Sequence, residues 1–163
     1  MENKVLHEVA ITAIIYQDDQ YLITKRSEDE DRFPGKWTVP GGKLETDDYV
    51  PLKKDTDIHW YNVLEKVLKR EVDEEVGVEI EKIEYVTSLS MVHEDGAPSL
   101  IVSCMAAYAG GEITLDEDEM SEFAWVTVDE AADYDLISGI YDEIVMADKQ
   151  RKGEVSKWGG NVM

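Results

Sequence analysis

The stretch REVDEEVGV, residues 70–78, is the part of this sequence that says most about its fold. It ends a segment whose periodicity predicts a helix from about residue 57 to residue 76, with Gly77 in the position of a C-terminal cap. On a helix that advances about 100° per residue, Leu64 and Leu68 belong to one apolar stripe. We therefore expect this helix to bury one face against a sheet.

Carboxylates occupy positions of the same helix that should be apolar. Glu71 and Glu75 project along the line of the stripe, and Glu74 lies beside them. Three negative charges at positions i, i+3 and i+4 on a partly buried patch are unfavourable unless a cation compensates them. Arg70 can offset one charge, and the rest call for a metal ion. Oxygen ligands suit Mg²⁺ or Mn²⁺ rather than zinc, although a plain solvated acidic surface is the alternative interpretation.

A glycine loop precedes the helix. Residues 40–45 read PGGKLE, and paired glycines allow main-chain groups to approach a metal ion or a phosphate where a Cβ would obstruct. A Gly-Gly pair alone indicates only a tight turn. Ahead of a helix that carries clustered carboxylates, it supports a binding site.

The rest of the chain alternates strands and turns without a regular strand–helix repeat. This pattern predicts an α/β (α+β) fold with a mixed sheet and helices on both faces. We expect a single domain over residues 1–163, with a flexible tail at about 149–163. The predicted strands are 9–16, 21–24, 78–92, 100–108 and 123–128, and a final helix is predicted near 136–146.

Composition narrows the class of partner. The chain has 163 residues, with 37 acidic and 16 basic side chains and a net charge of −21, which argues against binding duplex nucleic acid. No apolar run approaches the roughly 20 residues that span a bilayer. We expect a cytoplasmic protein without a membrane partner. A small anionic substrate is compatible with this charge if a divalent ion and a few local cations cancel the field.

The two motifs together resemble a known family. REVDEEVGV resembles the second half of the Nudix box, arginine-glutamate-apolar-any-glutamate-glutamate-any-glycine-apolar, at every specified position. GKLE, residues 42–45, resembles its first half, and residues 22–42 are similar to the strand and loop that lead into the box. We identify the chain as a member of the Nudix hydrolases on this resemblance.

The spacing of the box departs from the family pattern. Asn62 stands where the family has a glutamate before the arginine, and about fourteen extra residues lie between Glu45 and Asn62. We interpret residues 46–61 as an inserted loop. It is either a lid or subunit contact that tunes substrate choice, or a plain exposed loop.

The resemblance implies an α/β/α sandwich around a mixed sheet and assigns the metal ligands. Glu71, Glu74 and Glu75, with the main-chain carbonyl of Gly41, would bind one to three Mg²⁺ ions. Arg70 would hold the carboxylates in place rather than contact substrate.

Further roles follow from the same resemblance. Glu71 or a downstream carboxylate would orient or deprotonate the attacking water, with Glu119 preferred to Glu122 in an acidic loop that offers several choices. Arg26 and Lys43 are the candidates for binding substrate phosphate, and for each an exposed solubility charge is the alternative.

The implied reaction is cleavage of a pyrophosphate linkage in a nucleoside diphosphate derivative. The leading substrate is a nucleoside triphosphate, cleaved to monophosphate and pyrophosphate. ADP-ribose, a nucleotide sugar or a dinucleoside polyphosphate is the alternative, although Val92 replaces the proline that marks many ADP-ribose members. A Nudix-fold binding module without catalysis is the rival of another class, and a homodimer is left open.

Overall fold

A seven-stranded mixed sheet flanked by helices makes up the part of the chain that the structure, a computed structural model, describes, residues 4–154. The strands are β1 (Glu8–Gln17), β2 (Gln20–Arg26), β3 (Trp37–Thr38), β4 (Gly41–Lys43), β5 (Glu79–Val92), β6 (Pro98–Gly110) and β7 (Met120–Val126). The helices are a 3₁₀ turn (Thr46–Asp48), α1 (Val63–Val76), α2 (Val128–Ala131) and α3 (Ile140–Arg151).

The sheet has the order β3-β2-β1-β6-β5, with β4 also pairing β1 and β7 also pairing β2. Strands β1 and β6 are parallel, with Ala10 opposite Ile101, whereas the other pairs are antiparallel. The sheet is therefore mixed, as predicted.

Alternate residues of β1 face two different layers, because successive strand side chains point to opposite faces of a sheet. Ile11 and Ala13 belong to a core that contains Leu68 and the rest of the apolar stripe of α1. Ile14 belongs to a second core that contains Ile144 of α3. Full burial of a side chain such as Leu68 contributes about 1.5–3 kcal/mol, so both layers stabilise the sheet. The predicted helices on both faces are confirmed.

The glycine loop lies inside the sheet rather than beside it. Strands β1 and β2 pair only next to their hairpin, where Tyr16 lies opposite Tyr21. Beyond that point β3 pairs with β2, and β4 pairs with β1 with Gly41 opposite Thr12. The two short strands, which were not among the predicted strands, hold the loop next to the end of α1.

Some predicted boundaries were wrong. Helix α1 begins at Val63 and not near residue 57, because Asn62 has a left-handed backbone, with φ of 55°, that cannot continue an α-helix. Helix α3 begins at Ile140 rather than near residue 136 and continues through residues 149–151, which were assigned to a flexible tail. The remainder of that tail, residues 155–163, lies outside the described residues. Within residues 4–154, no helix is long and apolar enough to cross a membrane.

Candidate active site

Glu75 is a buried carboxylate at the end of α1. Glu75 is 5% exposed, and it lies on the same helix face as Val72 and Val76. The main-chain N–H of Gly41 donates a hydrogen bond of 3.2 Å to its Oε2. This places a charged group in the core position that the angular pattern of the sequence predicted.

The two glycines of the loop make room for the backbone and for this helix. A Cβ on Gly41 would collide with the carbonyl oxygen of Ile11 across the β1–β4 pair. A Cβ on Gly42 would collide with the carboxyl group of Glu71. Backbone atoms therefore require glycine at position 41, whereas a side chain at position 42 would displace the Glu71 carboxyl group. The loop contacts Glu71 and Glu75 directly.

Glu119 reaches the same place from the start of β7. Its carboxyl group lies close enough to that of Glu75 for each to shift the pKa of the other, and its main-chain oxygen accepts a hydrogen bond of 2.8 Å from the N–H of Ser27. Arg26 lies opposite Met120 in the β2–β7 pair, so its guanidinium is also nearby. The structure thus brings Glu119 to Glu75, whereas Glu122 pairs with Lys25 at 3.2 Å.

Burial dominates the electrostatics of these carboxyl groups. It raises the pKa of Glu75 well above its ordinary value, against the lowering effect of the Gly41 N–H, and the negative charges of Glu119 and Glu71 raise it further. Burial also raises the pKa of Glu119, with contributions from Asp116 and Glu30. Burial raises the pKa of Glu71 as well, although Arg70 opposes this shift. The cluster therefore carries more negative charge than its surroundings compensate.

Arg70 is shared among several carboxylates. It forms ion pairs with Glu71 at 3.0 Å and with Glu74 at 3.1 Å. The side chain of Glu74 is 55% exposed, so it lies at the edge of the cluster and not inside it. The cluster of carboxylates therefore contains Glu71, Glu75 and Glu119. Glu74, which the sequence placed in the cluster, lies at its edge.

Asp48 is a third partner of Arg70 that the sequence analysis missed. It belongs to the inserted segment, its side chain is only 8% exposed, and it also accepts a hydrogen bond of 2.7 Å from the N–H of Glu45. Asp48 is 22 residues from Arg70 along the chain, so no helical spacing could identify it. The insertion is tied directly to the helix that carries the site.

The donor chemistry of the cluster fits a hard divalent cation. In the described part of the chain, no three His, Cys, Asp or Glu side chains are already arranged to hold a metal ion. The donors nevertheless are all oxygen atoms, and the negative charges of Glu75 and Glu119 lie close enough for a cation to neutralise both. Glu71, Glu75 and Glu119 would hold Mg²⁺ or Mn²⁺. The assignments of Glu74 and of the Gly41 carbonyl as ligands stay predictions.

A cavity of about 260 Å³ opens beside Glu75, and we call it the central cavity. It extends over the face of the sheet that also carries α3. Its wall includes Arg26, Gly41, Glu75, Leu89, Ile101, Ile140 and Glu143. Arg26 donates from Nε to the carbonyl of Arg32 at 2.8 Å and pairs with Glu30 at 3.2 Å, so its side chain is held at the end of the cavity next to Glu75.

Further cations line the central cavity. Lys43 is half exposed and pairs with Glu8 at 3.2 Å. Arg32, which the sequence analysis did not single out, pairs with Glu8 at 2.8 Å and with Asp95 at 2.9 Å. The hydrogen bond from Arg32 is the largest cause that lowers the pKa of Glu8 to about 2. Arg26 and Lys43 are thus both at the cavity, and their contact with substrate stays a prediction.

Comparison with known proteins identifies the class. Residues 6–145 match the sequence model of the NUDIX domain, and the chain belongs to the Nudix hydrolase family. It is a pyrophosphohydrolase that acts on phosphorus anhydrides in nucleotide derivatives. Enzymes of this family generally use divalent cations such as Mg²⁺ and act on small nucleotide substrates.

Individual relatives refine this picture. The chain is 31% identical over 138 residues to the nucleoside triphosphatase NudI of Escherichia fergusonii, covering 77% of this chain and 86% of that protein. Its fold is similar to that of a MutT NUDIX hydrolase from Burkholderia pseudomallei, with a TM-score of 0.69 at 20% identity over 86% of this chain and 97% of that one. It is also similar to the NUDIX domain of Shewanella oneidensis NrtR, solved with ADP ribose, with a TM-score of 0.64 at 18% identity over 91% and 88% of the two chains.

Proposed function

We propose that this enzyme hydrolyses a nucleoside triphosphate to the monophosphate and pyrophosphate, with Mg²⁺ or Mn²⁺. The observation that carries the proposal is the buried Glu75 in the wall of the central cavity, hydrogen-bonded to the N–H of Gly41 in the glycine loop, with Glu71 and Glu119 close enough to raise its pKa. The likeness to NudI, which is named a nucleoside triphosphatase, supports the choice of a triphosphate.

In the proposed reaction, the oxygen of a water molecule attacks the α-phosphorus, and the anhydride bond to the β-phosphate breaks. Glu119 or Glu71 accepts the proton of that water. Pyrophosphate leaves with the electron pair of the broken bond. Arg26 and Lys43 face the negative oxygens of the phosphate chain from the cavity wall.

Two further parts complete the proposed site. Glu71, Glu75 and Glu119, with Glu74 and the Gly41 carbonyl as additional ligands, would hold the divalent ion, which would neutralise charge and lower the pKa of bound water. Arg70 acts on the carboxylates and not on the substrate, since its ion pairs are with Glu71, Glu74 and Asp48.

Other substrates are the alternatives within the same chemistry. ADP-ribose, a nucleotide sugar or a dinucleoside polyphosphate also contains a pyrophosphate linkage. The likeness to the NrtR domain, at 18% identity, concerns the fold alone and does not favour ADP-ribose for this chain. A regulatory module without catalysis would have no use for the costly burial of the Glu75 carboxyl group beside Glu71 and Glu119.

The organisation of the chain is also part of the proposal. We infer one Nudix domain over residues 1–163, with residues 46–61 as an insertion that contacts the site through Asp48. The cation–π contact of Lys54 with Trp60, 5.1 Å from the ring centroid, gives this segment a local structure of its own. Formation of a homodimer by this chain stays a prediction, and light scattering, which measures the mass in solution, tests it.

The deciding experiment is hydrolysis of a substrate panel with and without Mg²⁺. The panel contains the nucleoside triphosphates, ADP-ribose and a dinucleoside polyphosphate, and the products are separated so that pyrophosphate is distinguished from phosphate. We expect metal-dependent release of pyrophosphate from a triphosphate. Faster turnover of ADP-ribose or of the dinucleotide would contradict the substrate assignment, and turnover of no compound would favour the binding module.

A further inference from the structure

Glu143, on the first turn of α3, is a buried carboxyl group outside the metal cluster. Glu143 is 4% exposed, and it lies in the wall of the central cavity. Within the described residues, its Oε1 has no hydrogen-bond partner. Most buried polar side-chain atoms have at least one partner, so an unpaired carboxyl oxygen at a cavity wall points to a group that binds there.

Two hydroxyl groups on the sheet beneath α3 share this property. Thr12 of β1 and Ser103 of β6 are directly opposite each other in the parallel pair, so both point to the face that carries α3. The Oγ1 of Thr12 and the Oγ of Ser103 are buried and, in the part of the chain described, unpaired. Ser103 lies near enough to Glu143 to lower its pKa, although burial raises that pKa overall. Thr12 and Glu143 thus both belong to the wall of the central cavity, and Ser103 lies next to them outside that wall.

The wall of the central cavity has both charged and apolar parts. Arg26, together with Glu75 of the metal cluster, suits the phosphate chain of a nucleotide. Glu143 would repel a phosphate, and the wall also contains the apolar side chains of Leu89, Ile101 and Ile140. A flat, largely apolar group with a few hydrogen-bonding atoms at its edge fits beside Glu143, and in a nucleotide that group is the base.

We propose that Glu143 is a specificity-determining residue that accepts a hydrogen bond from an exocyclic amino group of the substrate base. This proposal rests on the proposed function and names its substrate class: a triphosphate of cytosine or adenine rather than of uracil, thymine or hypoxanthine. Cytosine carries an amino group where uracil and thymine carry a carbonyl oxygen, and adenine carries one where hypoxanthine carries a carbonyl oxygen. A carboxylate accepts a hydrogen bond from the amino group and repels the carbonyl oxygen.

The test compares pairs of substrates that differ at this one group, CTP against UTP and ATP against the inosine triphosphate. The enzymes are the wild type, Glu143→Gln and the control Asp142→Asn, which removes a charge from the adjacent residue outside the central cavity. Wild type should favour CTP over UTP in kcat/KM by about tenfold. Because the glutamine amide can also donate to a carbonyl oxygen, Glu143→Gln should reduce this ratio by about tenfold, and Asp142→Asn should leave it unchanged.

Calorimetric binding of CMP and UMP to the same three proteins separates recognition from hydrolysis. If the enzyme hydrolyses no triphosphate, the proposed function is contradicted. The ratio of the CMP and UMP affinities still tests the role of Glu143 in that case. Equal values for the two bases in the wild type would overturn the proposal, and this arm needs no variant to fold. A base preference that Glu143→Gln leaves unchanged would also overturn it, because Glu143 would then hold only a structural water.

Discussion

Helices α1 and α3 lie on opposite faces of the sheet, and each buries one glutamate. Glu75 is 5% exposed and Glu143 is 4% exposed, and burial raises the pKa of both. Glu75 is surrounded by the Gly41 N–H, Glu119 and Arg26, whereas the pKa of Glu143 responds to Ser103 and to the adjacent Asp142. Equal burial of the same residue type therefore does not mean the same role. One carboxyl group belongs to a charge cluster that suits a cation, and the other lies in a cavity wall away from that cluster's ion pairs.

The largest difference should appear when each carboxyl group is replaced by its amide. Glu75→Gln should lower kcat by roughly 10²- to 10³-fold, the usual cost of losing one group that stabilises the transition state. Glu143→Gln should retain most turnover on its best substrate. Steady-state kinetics with pyrophosphate detection measures both, and Glu122→Gln, whose side chain pairs with Lys25, is the control. Wild-type turnover in Glu75→Gln would remove Glu75 from the site.

The effect of a divalent metal ion on stability should also distinguish Glu75 from Glu143. A divalent ion at about a hundredfold its dissociation constant should add about 2.7 kcal/mol to the free energy of unfolding, or roughly 5–10 °C in Tm. Glu143→Gln should keep this gain, and Glu75→Gln should lose most of it. Thermal melts in Mg²⁺ are compared with sodium chloride of matched ionic strength, because a net charge of −21 also responds to screening. Equal stabilisation by both salts, without added hydrogen-exchange protection in α1, would contradict a metal site there.

A third experiment asks whether the α1 cluster depends on the inserted segment. Asp48→Asn should lower kcat about tenfold with little change in KM, because Arg70 loses one of the carboxylates that orient it. Asp47→Asn changes an exposed neighbour and is the matched control. Asp48→Glu should restore part of the activity if the charge is what matters. Full activity of Asp48→Asn, or an equal loss in Asp47→Asn, would show that Asp48 does not position Arg70.

The smallest effect concerns the pH dependence of Glu143. A carboxyl group whose pKa is raised by folding contributes stability below its ordinary pKa of 4.5 and loses it as the pH rises through the raised value. Without metal, the wild type should therefore lose stability relative to Glu143→Gln as the pH rises above about 4.5. Chemical denaturation of both proteins at several pH values measures this difference. A difference that does not change with pH would mean that Glu143 titrates as an exposed carboxyl group does.

The sequence predicted the parts of this molecule whose signals are local. Glu71 and Glu75 conflict with the apolar stripe of their own helix, and Gly41–Gly42 belong to the glycine loop whose sequence resembles the first half of the Nudix box. Asp48 and Glu143 carry no such signal, because their significance depends on a partner or a cavity that folding alone creates. Glu143 even matches the sequence pattern of an ordinary amphipathic helix, where a glutamate would be assigned to solvent.

The error at the start of α1 has a physical cause of the same kind. Residues 57–61 contain apolar side chains at spacings that fit a helix, and Ile58 is nevertheless 69% exposed. Asn62 adopts a left-handed conformation, and the segment before it instead folds on itself, with the indole N–H of Trp60 donating to the carbonyl of Leu52 at 2.9 Å. Periodicity alone cannot distinguish these two outcomes.

Strand β1 has a consequence for how this protein can change over generations. Its odd-numbered residues, such as Ile11, belong to the layer of α1, and its even-numbered residues, such as Thr12, belong to the layer of the central cavity. A point substitution therefore alters one layer and spares the other. An insertion or deletion of one residue would exchange the two sets of side chains at once. We expect inherited changes of substrate preference to arise by substitution at positions such as Ala10 and Thr12, in a strand whose length stays fixed.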